Sequence, residues 1–261
     1  MNLHVEVSGR GEPLVMLHGW GMHGGIWGET VARLAEDFTV HNVDLPGHGA
    51  SGSSEAFVLE GVVDELAARF GQPLALLGWS LGGIIAQQWA LREPHKINRM
   101  VLVASTPCFT RREDWPFGMA AETLAQFSAD LEQDHAATLR RFLALQVRGS
   151  ENERALLAAL RTQLFGRGEP QLTALRGGLE ILRDTDLRTA LPRIEPSVLV
   201  IAGERDKLTP PEASRYLAET IPDARVVEIA GAAHAPFLSH TEVFVEAIND
   251  FLKGCPQILQ I

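Results

Sequence analysis

The chain has 261 residues, 46% hydrophobic and 21% charged, the balance of a soluble globular protein with material for a sizeable core. A formal net charge of −10 argues against a general nucleic-acid or anionic-membrane binder. Two distant cysteines, Cys108 and Cys255, give no disulfide framework; the opening MNLHVEVSGRGEP lacks the pattern of a signal peptide, and the most apolar run, 73–86, is too short to span a bilayer, so a cytoplasmic protein off the membrane is expected.

Short aliphatic runs ending in Gly, Asp or Ser punctuate the chain. PLVMLHG (13–19) and FTVHNVDLPG (38–47) come first, followed by helical patterns over 25–36 and 55–70. PLALLGWS (73–80) leads into a helix at 82–92, and RMVLVAS (99–105) comes next. After a long interval the series closes with SVLVIAGERD (197–206), a helix at 211–220, ARVVEIAGAAH (224–234) and a helix at 241–253. Unbroken apolar runs of this length suit strands buried on both faces, and their alternation with helices predicts an α/β fold with a mostly parallel, doubly wound sheet. Residues 110–187 break the alternation: AAETLAQFSADLEQ, AATLRRFLALQ, NERALLAALRTQLF and PQLTALRGGLEILRD all have helical spacing. The expected organisation is a core of 1–109 and 188–261, with an inserted helical cap, 110–187, over the carboxyl ends of the strands, where open α/β sheets bind ligands.

Within PLALLGWSLGG, Gly78-Trp79-Ser80-Leu81-Gly82 matches the G-x-S-x-G nucleophile elbow. A serine on a sharp strand-to-helix turn needs small residues two places either side, and Gly78 and Gly82 supply them. The same pattern also describes a glycine-rich turn with an incidental serine; its place after an aliphatic strand and before GIIAQQWAL favours the elbow. A serine hydroxyl attacks only when a base takes its proton. Asp206, at the end of one strand run, and His234, after the next, complete the chain order Ser, Asp, His. Glu204 competes with Asp206, but the proline pair of GERDKLTPPE starts a helix and leaves Asp206 at the strand end. His240 reads as a surface or helix-start residue. An oxyanion needs preorganised N–H donors: Leu81, at the start of a helix, and Trp20 in HGWG (18–21), whose ring is also a candidate wall of an acyl pocket. His18 is expected to order that loop, and no cluster has convincing metal spacing. DLPGHGASG (44–52) reads as scaffold under the site. The segment 139–167 holds six arginines against two acids; it is either a solvated helix face or a docking face for an acidic partner. Phe142, Leu143 and Leu145 read first as cap core.

HGWG, VDLPGHGASG, GWSLGG, GERD and GAAHAPFLSH together resemble the α/β-hydrolase superfamily. LVMLHGWGMHGGIW, RFLALQ and GGLEILRDTDLR extend the likeness to the pimeloyl-[acyl-carrier protein] methyl ester esterases, carboxylesterases of biotin synthesis. The resemblance implies a serine esterase without cofactor, using Ser80, Asp206 and His234. It implies substrate contacts at Trp20, Ser80, Leu81, the run Phe142, Leu143, Ala144, Leu145 and Gln146, and His234. It also implies acyl carrier protein as partner, gripped by cap arginines. Arg141 and Arg154 match that pattern; two further basic positions fall here on Ala137 and Ala158, with Arg140 and Arg161 nearby as substitutes. A monomer is expected. A broad short-chain esterase, lactonase or perhydrolase on the same scaffold, and a non-catalytic interaction protein, are the alternatives.

Overall fold

The computed structural model describes residues 3–52, 56–164 and 166–254; Cys255 and the first residue of the expected 55–70 helix lie outside them. The strands are β1 (Val5–Gly9), β2 (Glu12–Leu17), β3 (Phe38–Val43), β4 (Leu74–Trp79), β5 (Ile97–Val103), β6 (Ser197–Gly203) and β7 (Ala224–Ile229). They form one sheet in the order β1-β3-β2-β4-β5-β6-β7, with β1 antiparallel to β3 and every other pairing parallel.

Central strands are buried along their length because helices cover both faces. All six residues of β4 are buried, as are all but the first of β6. Truncating a residue such as Leu76 to Ala here costs about 2–5 kcal/mol. The edges differ. β7 has a single fully buried residue, and β1 leaves Val7 exposed. β1 carries no aliphatic run, which is why the pattern of buried strands gives no sign of it.

Core helices are α1 (Glu29–Leu34), α2 (Leu59–Arg69) and α3 (Leu81–Arg92); the cap contributes α4 (Ala121–Gln133), α5 (His135–Val147), α6 (Glu153–Leu164) and α7 (Leu172–Asp184). The chain returns to the core with α8 (Pro211–Thr220), a short α9 (Pro236–Ser239) and α10 (Thr241–Leu252). The helix expected over 25–36 is in fact a 3-10 turn, Gly24–Trp27, and then α1; Gly28, at φ 45°, separates them. Glycine takes that conformation without a Cβ penalty, so the break falls there.

The cap helices are unequal. α7 buries seven residues, including Gly177 and Gly178, whereas α6 buries only Leu160 and Leu164. α7 is thus packed into the molecule while α6 lies on it. Ahead of α4 the chain forms short bridges, Thr110 to Met119 and Arg112 to Trp115, and Trp115 packs with Cys108 and Ala213 in a small second cluster. No described helix is long and apolar enough to cross a membrane.

Candidate active site

Ser80 joins β4 to α3 with φ 56° and ψ −117°. A non-glycine residue held there stores about 1–3 kcal/mol of backbone strain. The turn is so sharp that its flanks admit no side chains. A Cβ on Gly78 would lie 2.3 Å from the Gly82 carbonyl oxygen, one on Gly82 2.5 Å from that of Leu17, and one on Gly83 2.4 Å from Ser105 Oγ. Ser105 fills the Gly83 notch and donates its hydroxyl to the Ser80 carbonyl at 2.9 Å.

The ends of β6 and β7 deliver the remaining groups. His234 Nε2 lies 3.0 Å from Ser80 Oγ, and His234 Nδ1 lies 2.8 Å from Asp206 Oδ2. The backbone N–H groups of Leu208 and Thr209 donate to Asp206 Oδ1 at 2.8 and 3.1 Å, and the Thr209 hydroxyl donates to Oδ2 at 2.7 Å. Since every other neighbour of that carboxylate donates, His234 Nδ1 is the proton-bearing nitrogen, and Nε2 turns a lone pair toward Ser80. Ser80, Asp206 and His234 are all buried, at 6%, 2% and 1% exposure. His234 is held by its backbone too. Its N–H donates to the Gln146 carbonyl at 3.1 Å, and its own carbonyl accepts from Trp79 Nε1 at 2.8 Å. Glu204 is engaged elsewhere, accepting from the Gly231 N–H, and His240 is the residue before α10.

Leu81 is the first residue of α3, so its N–H has no acceptor within the helix. A Cβ on Gly19 would lie 3.3 Å from Ser80 Cβ, which puts the HGWG loop directly against the elbow. The next N–H, that of Trp20, is taken up by no hydrogen bond among the described residues. Its direction is set from below. The Leu45 N–H donates to His18 Nε2 at 2.9 Å, so His18 Nδ1, 2.8 Å from the Gly19 carbonyl, carries the proton and donates. In a trans peptide unit the Trp20 N–H points opposite to that carbonyl.

The residues beneath the loop are scaffold. Asp44 accepts from the Gly24 N–H at 2.6 Å and the Ala50 N–H at 2.9 Å, with Arg167 Nη1 3.3 Å away. Burial alone would raise the Asp44 pKa; the two N–H donors, with the Arg167 guanidinium nearby, outweigh it and leave the carboxyl below its ordinary value. Burial pushes His18 down to about 3, helped by His48, and pushes His48 down to about 4. Both imidazoles are therefore neutral in the folded protein near pH 7.

Groups of α5 and α7 reach the site. The Trp20 indole donates to the Leu175 carbonyl at 2.9 Å and meets Phe142 edge-on, with ring centroids 4.9 Å apart. Phe142, Leu143 and Gln146 are buried, while Ala144 and Leu145 are half-buried. Gln146 Oε1 finds no hydrogen-bond partner among the described residues. The arginines are placed less uniformly than a single basic face requires. Arg140, Arg141, Arg154 and Arg161 are exposed, but Arg141 is paired with Asp130. Arg167 turns inward onto Asp44 and Glu6, so it contributes no charge to an outer face.

Thr209, Trp79, Ser105 and Arg167 hold the site together without having been marked as site residues by the sequence motifs. Thr209 had a usable signal, a hydroxyl three places after a strand-end aspartate. Trp79 occupies a variable position of the elbow pattern, which says nothing about its indole. No group of side chains able to hold a metal ion occurs among the described residues.

The model of the α/β-hydrolase fold family matches residues 12–241. A pimeloyl-[acyl-carrier protein] methyl ester esterase of Chromobacterium violaceum is 46% identical, over 97% of this chain and 99% of its own length. Another of the same name, from Nitrosomonas europaea, is 45% identical over 95% and 98%. Among solved structures, an esterase from Exiguobacterium antarcticum superposes with a TM-score of 0.87 at 26% identity, covering 96% of this chain and 95% of that one. With this sheet order, this elbow and a match across most of its length, the chain belongs to the α/β-hydrolase family.

Proposed function

We propose that the chain is a serine carboxylesterase that hydrolyses the methyl ester of pimeloyl-[acyl-carrier protein], releasing methanol and the free acid in biotin synthesis. The chemistry rests on one observation, the hydrogen-bonded line Ser80–His234–Asp206. The substrate rests on the near-full-length relatives that bear that name.

In this reading His234 Nε2 takes the Ser80 proton as Oγ attacks the ester carbonyl. The Asp206 carboxylate stabilises the imidazolium and keeps the ring oriented. The carbonyl oxygen gains its negative charge between the N–H groups of Leu81 and Trp20, and one such donor is worth about 3–4 kcal/mol in the transition state. As the tetrahedral intermediate collapses, His234 protonates the departing methoxide. Water, deprotonated by the same imidazole, then attacks the acyl-enzyme, and Ser80 leaves with its proton restored. The acyl chain runs along Trp20 and Phe142 under the cap, and Arg140, Arg141, Arg154 and Arg161 face the acidic carrier protein outside. None of these steps calls for a cofactor.

Two measurements test this. Ser80→Ala is expected to remove ester hydrolysis while the protein keeps its fold; a purified, folded variant that still turns over ester would overturn the nucleophile. Hydrolysis of pimeloyl-carrier protein methyl ester should exceed that of free short-chain esters in kcat/KM. Parity between the two would leave a broad esterase on the same scaffold.

A further inference from the structure

α7 carries two adjacent glycines in its interior, Gly177 and Gly178. Glycine weakens a helix, so a pair in mid-helix calls for a reason. The two face different obstacles. A Cβ on Gly177 would lie 2.1 Å from the Phe57 carbonyl oxygen, against core backbone. A Cβ on Gly178 would lie 2.5 Å from Trp20 Cδ1, 3.0 Å from Trp20 Nε1 and 3.3 Å from Leu81 Cδ2. Gly178 therefore abuts the two residues whose N–H groups face the reacting oxygen.

The obstruction is not one that a side chain can swing away from. Cδ1 is at the near end of the indole, close to the Trp20 backbone. Phe142 meets the indole edge-on, with ring centroids 4.9 Å apart. The indole N–H is tied to the Leu175 carbonyl, on the same helix. In an α-helix the carbonyl of residue 175 points toward residues 178 and 179. A bare Cα at 178 leaves the approach to that carbonyl open.

We propose that Gly178 is a positioning residue for the Trp20 oxyanion donor: its missing side chain lets α7 seat the indole, and the seated indole holds the Trp20 N–H in line with that of Leu81. Any side chain at 178 displaces the indole at its root and carries the Trp20 backbone with it. The inference rests on the oxyanion role given to Trp20 in the proposed mechanism.

The test is a double-mutant cycle on a small soluble ester, with Gly177→Ala as the comparison. Gly178→Ala should lower kcat about 10- to 100-fold, part of the 10²–10³ that losing one oxyanion donor costs, while KM changes little. Trp20→Ala removes the indole but keeps the N–H, so adding Gly178→Ala to it should cost nothing more. Gly177→Ala meets the Phe57 backbone, and its effect should be the same with or without the indole. A wild-type kcat in Gly178→Ala, or an equal loss in both backgrounds, would overturn the proposal. If Gly178→Ala does not fold, folding of the double variant supports the proposal and its failure to fold refutes it. Labelling of Ser80 by a serine-directed phosphonate separates the two levels. A wild-type protein that is not labelled sinks the hydrolase reading itself, whereas full labelling with additive losses sinks only the role of Gly178.

Discussion

Below Ser80 the closest packing is backbone against backbone; above it, apart from Gly177 of α7 against the Phe57 main chain, the cap is held largely by side chains set on the core. Gly78 and Gly82 place Ser80 by what they lack, and the neighbouring main chain closes in to 2.3 and 2.5 Å of where a Cβ would be. The cap is seated instead by particular groups: Arg167 on Asp44 and Glu6, the Gln163 carbonyl on His23, and Leu175 on the Trp20 indole. A backbone-limited site tolerates few residue types at a given spacing, whereas side-chain contacts can be made in many ways. The candidate active site is therefore written in short motifs, and the seating of the cap is not. The two regions should also fail differently when perturbed.

The largest expected effect is in the core. Asp206→Asn should reduce kcat about 10³- to 10⁴-fold. An amide can donate to His234 Nδ1, which would move the ring proton to Nε2 and remove the lone pair facing Ser80. Thr209 would still hold the side chain, so denaturant stability and cap seating should change little. A kcat within tenfold of the wild type would show that the carboxylate is not the partner that fixes His234.

Acid should also act on the core first. His18 and His48 have ordinary values of 6.5 and are depressed to about 3 and about 4 by burial. Their contribution is fully present above about pH 6.5. As pH falls from there toward 4, the unfolded chain binds protons that the folded chain refuses, and stability drops by up to about 1.4 kcal/mol per pH unit for each imidazole. Paired carboxylates such as Asp44 contribute their own loss only below about pH 4. Denaturant midpoints at pH 7 and pH 5 measure the slope, and His48→Leu should flatten it by about one imidazole's share. An unchanged slope would mean that His48 is not held neutral.

In the cap the comparison is between two arginines with the same charge. Arg167 reaches a fully buried carboxylate, and its own side chain is 22% exposed; Arg141 meets Asp130 with its side chain 56% exposed. Removing one partner of a buried pair strands the other, at 3–5 kcal/mol when burial is complete. Here Asp44 keeps two N–H donors, and Arg167 touches solvent, so Arg167→Gln should cost about 2 kcal/mol in denaturant stability. Arg141→Gln should cost less than about 0.5 kcal/mol. Equal shifts would remove the distinction between an arginine that seats the cap and one that merely decorates it.

The same contrast explains what could be read from the chain alone. β2 and β4 to β6 announce themselves as aliphatic runs because they are buried on both faces, and the cap helices as apolar periodicity. β1 is missed because an edge strand with Val7 in solvent has no run to show. Ser80, Asp206 and His234 are legible because a fixed backbone frame orders them along the chain. Arg167 is the instructive failure. By composition it is one more positive charge in an arginine-rich segment, and only the fold shows that it points at Asp44.

The smallest effect concerns the outer face of the cap and the proposed carrier-protein partner. Arg154 and Arg161 form no ion pair among the described residues, while the charge of Arg141 is already partly answered by Asp130. Exposed charges at the rim of an interface act mainly on association rate and are screened by salt. Arg154→Gln should therefore lower kcat/KM on the carrier-bound ester about two- to fivefold at low ionic strength, and Arg141→Gln less than that. Both effects should shrink in 0.5 M salt, and neither should touch a small ester, which brings no carrier protein for an exposed charge to meet. If Arg154→Gln slows both substrates equally, the outer face plays no part in docking. If Arg141→Gln has the larger effect, Asp130 is displaced when the partner binds, and the α4–α5 pair is the true contact.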